Sequence, residues 1–166
     1  MRKAFAPLDD ALIERLFQPA ADLVRYRVGV SRETAACLCV DIASLGWIAS
    51  RTPGLSSAVT AWDASTAFVD LTLLLLGMVA LISLRTLFRR TTATEANPLR
   101  PAMRPHRAFV LLMLTADLVQ PQAPGLANAA DIAMLVFAAS ALYLGACTER
   151  PPMRRGWPAL AGVSAR

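Results

Sequence analysis

Thr66 to Leu84 reads TAFVDLTLLLLGMVALISL. The stretch holds 19 residues and a single charge, Asp70. At about 1.5 Å of rise per residue, a helix of that length covers roughly 28 Å, close to the hydrocarbon thickness of a bilayer. Only a helix can carry such a run through lipid, because its backbone polar groups bond within the segment. The run therefore predicts a transmembrane helix and makes the chain a membrane protein.

Composition points the same way. The chain has 166 residues, 55% of them hydrophobic and 17% charged. Soluble domains carry about 25% charged residues. Length and a mean hydropathy of +0.46 fit one membrane domain. The net charge is +5, but the basic residues fall between apolar runs. Topology rather than nucleic-acid binding explains that placement. Cys37, Cys39 and Cys147 lie within or at the end of apolar runs, which argues against a disulfide framework. Arg2 and Lys3 are followed by Pro7, Asp9, Asp10 and Glu14, which does not read as a secretory signal.

Outward from the opening run, the expected fold is an all-α integral membrane protein of four spans, at 34–50, 66–84, 108–120 and 127–147, within a membrane domain of residues 34–147. Residues 51–65, with Pro53 and Gly54, read as a loop. Trp47 and Trp62 suit the membrane interface. Residues 108–120 give only 13 positions before Pro121, a length that also suits a re-entrant or buried helix. Ahead of the spans, residues 1–33 form a cytoplasmic or interfacial segment. Its residues 8–28 read as an amphipathic helix broken at Pro19, started by Asp9 or Asp10, with Leu8, Leu12, Ile13, Leu16 and Phe17 on one stripe. It is expected to lie in the interface or to pack on a soluble partner domain. Gly29 and Ser31 mark a break and a new helix start. Residues 148–166 form a cytoplasmic tail containing Pro and Arg.

Loop charge sets the expected orientation. The N-terminal segment carries six Lys or Arg, residues 51–65 one, residues 85–107 six, residues 121–126 none and the tail four. With four spans, all but Arg51 fall on one side. Both termini are then cytoplasmic, in the plasma (bacterial inner) membrane. Arg85, Arg89, Arg90, Arg100, Arg104 and Arg107 form a basic patch for lipid or an acidic partner. A faint repeat relates Asp41 to Ser50 with Asp131 to Ser140, though apolar bias makes such matches cheap.

Each span carries one aspartate: Asp41, Asp70, Asp117 and Asp131. A charge at the bilayer centre costs at least about 2.5 kcal/mol on insertion scales. Asp70 and Asp131 are expected in the first turn of their helices at the outer end, where the dipole favours them. Asp117 also lies near the outer end. Asp41 is expected near mid-depth, on a stripe of Thr34, Cys37, Asp41 and Ser44 that points into the bundle. Asn128 and Asp131 share a face, and Gly77 with Ala80 admits a close neighbour. Asp41, Asp70, Asp117, Asp131, Ser44 and Asn128 are thus the candidate ion or partner site. A hard cation, a proton, or a basic residue from another subunit or from Arg51 is the expected match. His106, the one histidine, excludes paired haem ligation within the chain, and no phosphate loop, zinc spacing or nucleophile–base pair is recognisable. No catalytic residue or cofactor is expected, and the metal question stays open. The expected role is an accessory, assembly or interaction subunit, not an enzyme. Its partners are the bilayer and other membrane subunits or further copies of itself. The alternative is a proton- or cation-coupled transporter or channel.

Overall fold

The computed structural model describes residues 2–90, 97–119 and 125–148, which fold as helices with no strand. The expected tail from 149 onward and the connection at 120–124 lie outside these residues. At the N-terminus, α1 (Arg2–Leu12), a π turn (Ile13–Phe17) and α2 (Gln18–Val28) run on without interruption. The expected break at Pro19 is absent. Proline lacks an N–H, but here it sits in the first turn of α2, just after the register widens, with the Gln18 N–H already bonded to the Ile13 carbonyl. The helix ends at Gly29, whose φ of +72° suits a residue without a Cβ. Ser31 caps the next helix by accepting from the Thr34 N–H at 3.2 Å.

That helix, α3 (Arg32–Thr60), is far longer than the expected 34–50. It passes through Pro53 and absorbs most of the expected loop. Ser and Thr hydroxyls along this part bond back to the helix, as Thr52 does to the Ile48 carbonyl at 2.7 Å. The true turn is only Ala61 to Asp63, with Trp62 at φ +58° and almost fully exposed. Asp63 caps α4 (Ala64–Arg90), accepting from the hydroxyl and N–H of both Thr66 and Ser65. Those bonds hold its carboxyl at about 2. After a short α5 (Leu99–Ala102) come α6 (Arg104–Val119) and α7 (Leu126–Ala146).

Contacts place α3 between α4 and α7, with α6 against α7. Neighbouring helices run antiparallel. Gly46 of α3 leaves room for the Ala130 carbonyl and Met134 of α7, where an added Cβ would stand 3.0 Å from each. Gly77 of α4 seats the Trp47 indole. Trp47 donates from Nε1 to the Leu74 carbonyl at 3.2 Å. It therefore ties α3 to α4. Ala80 is exposed.

Two apolar clusters form the core, and both sit at the end of the bundle where α3 begins and α7 ends. One joins Ala36, Val40, Phe88, Leu99, Ala141 and Leu142. The other joins Ile13, Ala21, Tyr143, Ala146 and Cys147. The expected N-terminal stripe divides accordingly: Ile13 is buried, while Leu8 and Leu16 are exposed. On α4 only Phe88 is buried; Leu81, Leu84 and Leu87 pack partly against the same cluster, and most of the other large apolar side chains face outward.

Three helices, α3, α4 and α7, are long and apolar enough to cross a membrane. The expected fourth span is not among them. Helix α6 has 16 residues, about 24 Å against a hydrocarbon core of about 30 Å. Its first turn also holds Arg104 and Arg107, which take its start out of the apolar run.

Candidate functional site

The densest polar cluster lies where α1 meets α6. Asp9, Asp10 and Glu14 face Arg100, Arg104 and Arg107. Asp9 and Arg107 are fully buried and form a two-pronged pair, with Nε donating to Oδ1 at 2.8 Å and Nη2 to Oδ2 at 2.6 Å. Arg104 donates to Asp9 at 3.2 Å and to both oxygens of Asp10. Arg100 reaches Asp10 at 3.1 Å and Glu14 at 2.8 Å. The ladder grades from a buried rung to an exposed one. Burial pushes the Asp9 carboxyl up, but the hydrogen bonds and charge of Arg107, with Arg104, outweigh it and hold it below the usual range. The helix start expected at Asp9 or Asp10 is not there; both residues lie inside α1.

Tyr143 of α7 closes the cluster. Its ring stacks on Phe17 at 4.6 Å between centroids, and the Arg107 guanidinium lies 5.4 Å from its centre. The Tyr143 hydroxyl interacts with the Asp9 carboxylate, while Arg107 Nη1 is buried without a hydrogen-bond partner.

The end of α7 is tied down beside it. Asn97 donates to the Gly145 and Cys147 carbonyls at 2.7 and 2.8 Å, and Arg32 also donates to Cys147. Gln18 and Thr148 exchange bonds at 2.9 and 3.0 Å. Helix ends leave carbonyls without intrahelical partners, and three side chains from elsewhere in the chain satisfy these. Sequence reasoning did not single out Asn97, Gln18 or Arg32. Their one legible signal is polar character beside long apolar runs.

The aspartates expected within the spans are not gathered into one site. Asp41 pairs with Arg85 of α4 at 3.0 Å. Within the chain its partner is Arg85 and not Arg51, whose guanidinium lies over Trp47 at 4.4 Å. Asp41 is the tenth of the 29 residues of α3, short of its middle. Its stripe faces α4: the Cys37 thiol lies 3.9 Å from the Arg85 carbonyl. Ser44 bonds back to the Val40 carbonyl at 2.8 Å and offers no ligand oxygen to Asp41. Asp70 is the seventh residue of α4 and Asp131 the sixth of α7, so neither starts its helix. Asp70 faces Gly54, where an added Cβ would stand 3.0 Å from its carboxylate. Asp131 and Asn128 each bury an Oδ1 without a partner. Asp117 lies in the last turn of α6. Among the described residues no group of His, Cys, Asp and Glu is placed to hold a metal ion.

The expected basic patch is mostly spoken for. Arg85, Arg100, Arg104 and Arg107 are paired within the chain. Arg89 and Arg90 are exposed.

These features define a class: an all-helical membrane protein whose N-terminal helix is clamped by charge over one end of its bundle. The chain matches no family model, no curated protein and no solved structure.

Proposed function

We propose that the protein is a small accessory or assembly subunit of a larger complex in the plasma (bacterial inner) membrane. Helix α4 carries this reading. It is the most apolar of the three long helices, yet only Phe88 is buried. It touches the bundle along one line, from Gly54 through Trp47 and Asp41 to Gly145. The remaining circumference is free for lipid or for a second protein. At its far end Asp70 makes no ion pair among the described residues, which favours a basic partner there over lipid alone. In this reading α6 completes a fourth pass with the help of residues 120–124 or a thinned bilayer. The arginine-rich end and both termini are then cytoplasmic, and Leu8, Leu16 and Leu23 of the N-terminal helix rest in the interface.

Native mass spectrometry after mild-detergent purification tests the proposal. Other membrane chains are expected to co-purify. A solitary, stable particle of this chain alone would count against it.

A second reading, a proton- or cation-coupled transporter, rests on the buried, unpartnered oxygens of Asn128 and Asp131. Asp41, being paired, is a weaker site for it. Proteoliposome flux that is unchanged by Asp131→Asn and by pH would remove this reading.

A further inference from the structure

We propose that Arg100, Arg104 and Arg107 form a binding site for the phosphate of an anionic membrane lipid, and that the acidic face of α1 occupies this site as a displaceable internal stand-in.

Three observations carry this. The first is position. The three arginines sit at spacings of four and three, so they share a side of the α5–α6 segment. The apolar run of α6 begins at the next residue, Ala108. That places the guanidinium groups where lipid headgroups lie when α6 enters the bilayer.

The second is the shape of the occupant. A carboxylate is planar and offers two oxygens. Asp9 engages Nε and Nη2 of Arg107 with them, at 2.8 and 2.6 Å. Nη1 of the same fully buried guanidinium stays without a partner. A tetrahedral phosphate has further oxygens for such donors, and guanidinium forks match it well. The internal ligand thus leaves a buried guanidinium donor unused that the proposed one would satisfy.

The third is the grading of the contact. The Asp10 and Glu14 rungs are partly exposed, at 39% and 58%, while the Asp9 rung is sealed. Solvent-side rungs are weak and screened, so α1 can open from its outer edge. The π turn at Ile13–Phe17 lies at the junction with α2, which stays bound through Gln18 and Thr148. Lifting α1 together with the start of the π turn, which holds Ile13 and Glu14, draws Ile13 from the cluster that buries Cys147. This inference does not depend on the accessory-subunit reading.

Cys147 gives the readout, since it is fully buried while α1 is seated. The full chain is reconstituted in phosphatidylcholine vesicles with and without phosphatidylglycerol. A water-soluble maleimide is added, and labelling is followed by peptide mass spectrometry with Cys39 as internal reference. In anionic vesicles Cys147 is expected to label at least about tenfold faster, as for a local opening made dominant. Arg100→Gln with Arg104→Gln should abolish the difference. Asp10→Asn with Glu14→Gln should speed labelling in both vesicle types. Equal wild-type rates in the two vesicle types overturn the proposal, and this comparison stands even if a variant fails to fold. Acceleration by inorganic phosphate in neutral vesicles, equal to that by phosphatidylglycerol, overturns the lipid as the source.

Discussion

Replacing Asp9 by Asn removes one charge from a pair in which both partners are fully buried. Arg107 cannot neutralise itself, because a guanidinium stays protonated at any ordinary pH. Breaking a buried pair by removing one partner costs about 3–5 kcal/mol. Asparagine can still accept one of the two bonds, which places Asp9→Asn near the lower end, about 3 kcal/mol. Replacing the whole pair, Asp9→Leu with Arg107→Met, leaves no stranded charge. It should fall within about 1 kcal/mol of wild type, apart from the lost bond to the Arg100 carbonyl at 2.7 Å. Thermal unfolding in mild detergent, followed by circular dichroism, measures all three proteins. The pH dependence adds a second test. The folded Asp9 pKa lies below its ordinary 3.8, so the pair's stabilisation is complete above that value. It is lost only as pH falls through the lower folded pKa. Wild type should be flat from neutral pH to about 5 and weaken below about 4, a decline that is shallower in Asp9→Asn, where Asp63 still contributes to it. If Asp9→Asn costs less than about 1 kcal/mol, or the double variant costs as much as the two single changes together, the pair is not the clamp described here.

Three further outcomes follow from the packing. Gly77→Ala puts a methyl group into the Trp47 indole. The indole must swing and release the Leu74 carbonyl, so thermal stability should fall by about 1–3 kcal/mol, while Ala80→Gly, at an exposed site, should cost under about 1 kcal/mol. Asn97→Ala strips two bonds from the end of α7 and should cost about 1–3 kcal/mol, with faster amide exchange confined to residues 143–148. Asp41→Asn should change stability in detergent by no more than about 1 kcal/mol, because the pair with Arg85 is over a third exposed on both sides. A charge exchange, Asp41→Arg with Arg85→Asp, should then behave like wild type in the same unfolding assay.

The apolar runs were legible because lipid imposes one requirement on every residue, and TAFVDLTLLLLGMVALISL meets it without reference to the rest of the chain. Helix ends were less so. Pro53 and Gly54 read as a loop on local preference, but α3 passes through both, with Ser and Thr hydroxyls bonding to its backbone. Pro19 misled in the same way, because a π turn costs little where proline's missing donor is spare. The partners of the acids were the least legible part. Asp41 and Arg85 are 44 positions apart, and Asp9 and Arg107 are 98 apart. No local period links residues that distant. Trp47 shows the same limit, since nothing local says that Gly77, 30 positions on, lies beneath its indole.

The arginines of residues 85–107 therefore serve two physical roles. Counted along the chain, they give the charge asymmetry that sets orientation, and that argument needs only their number and side. In the fold, four of the six are paired with Asp9, Asp10, Glu14 and Asp41. Paired charges contribute little outward field, so the basic surface near these helices reduces largely to Arg89 and Arg90, and the sequence count overstates what a lipid or acidic partner meets. The acids of α1 then govern how much of the patch is on display. Positive charge at this end becomes a property of α1's position as much as of composition, and neutralising Asp10 and Glu14 should strengthen binding to anionic vesicles without adding a single arginine.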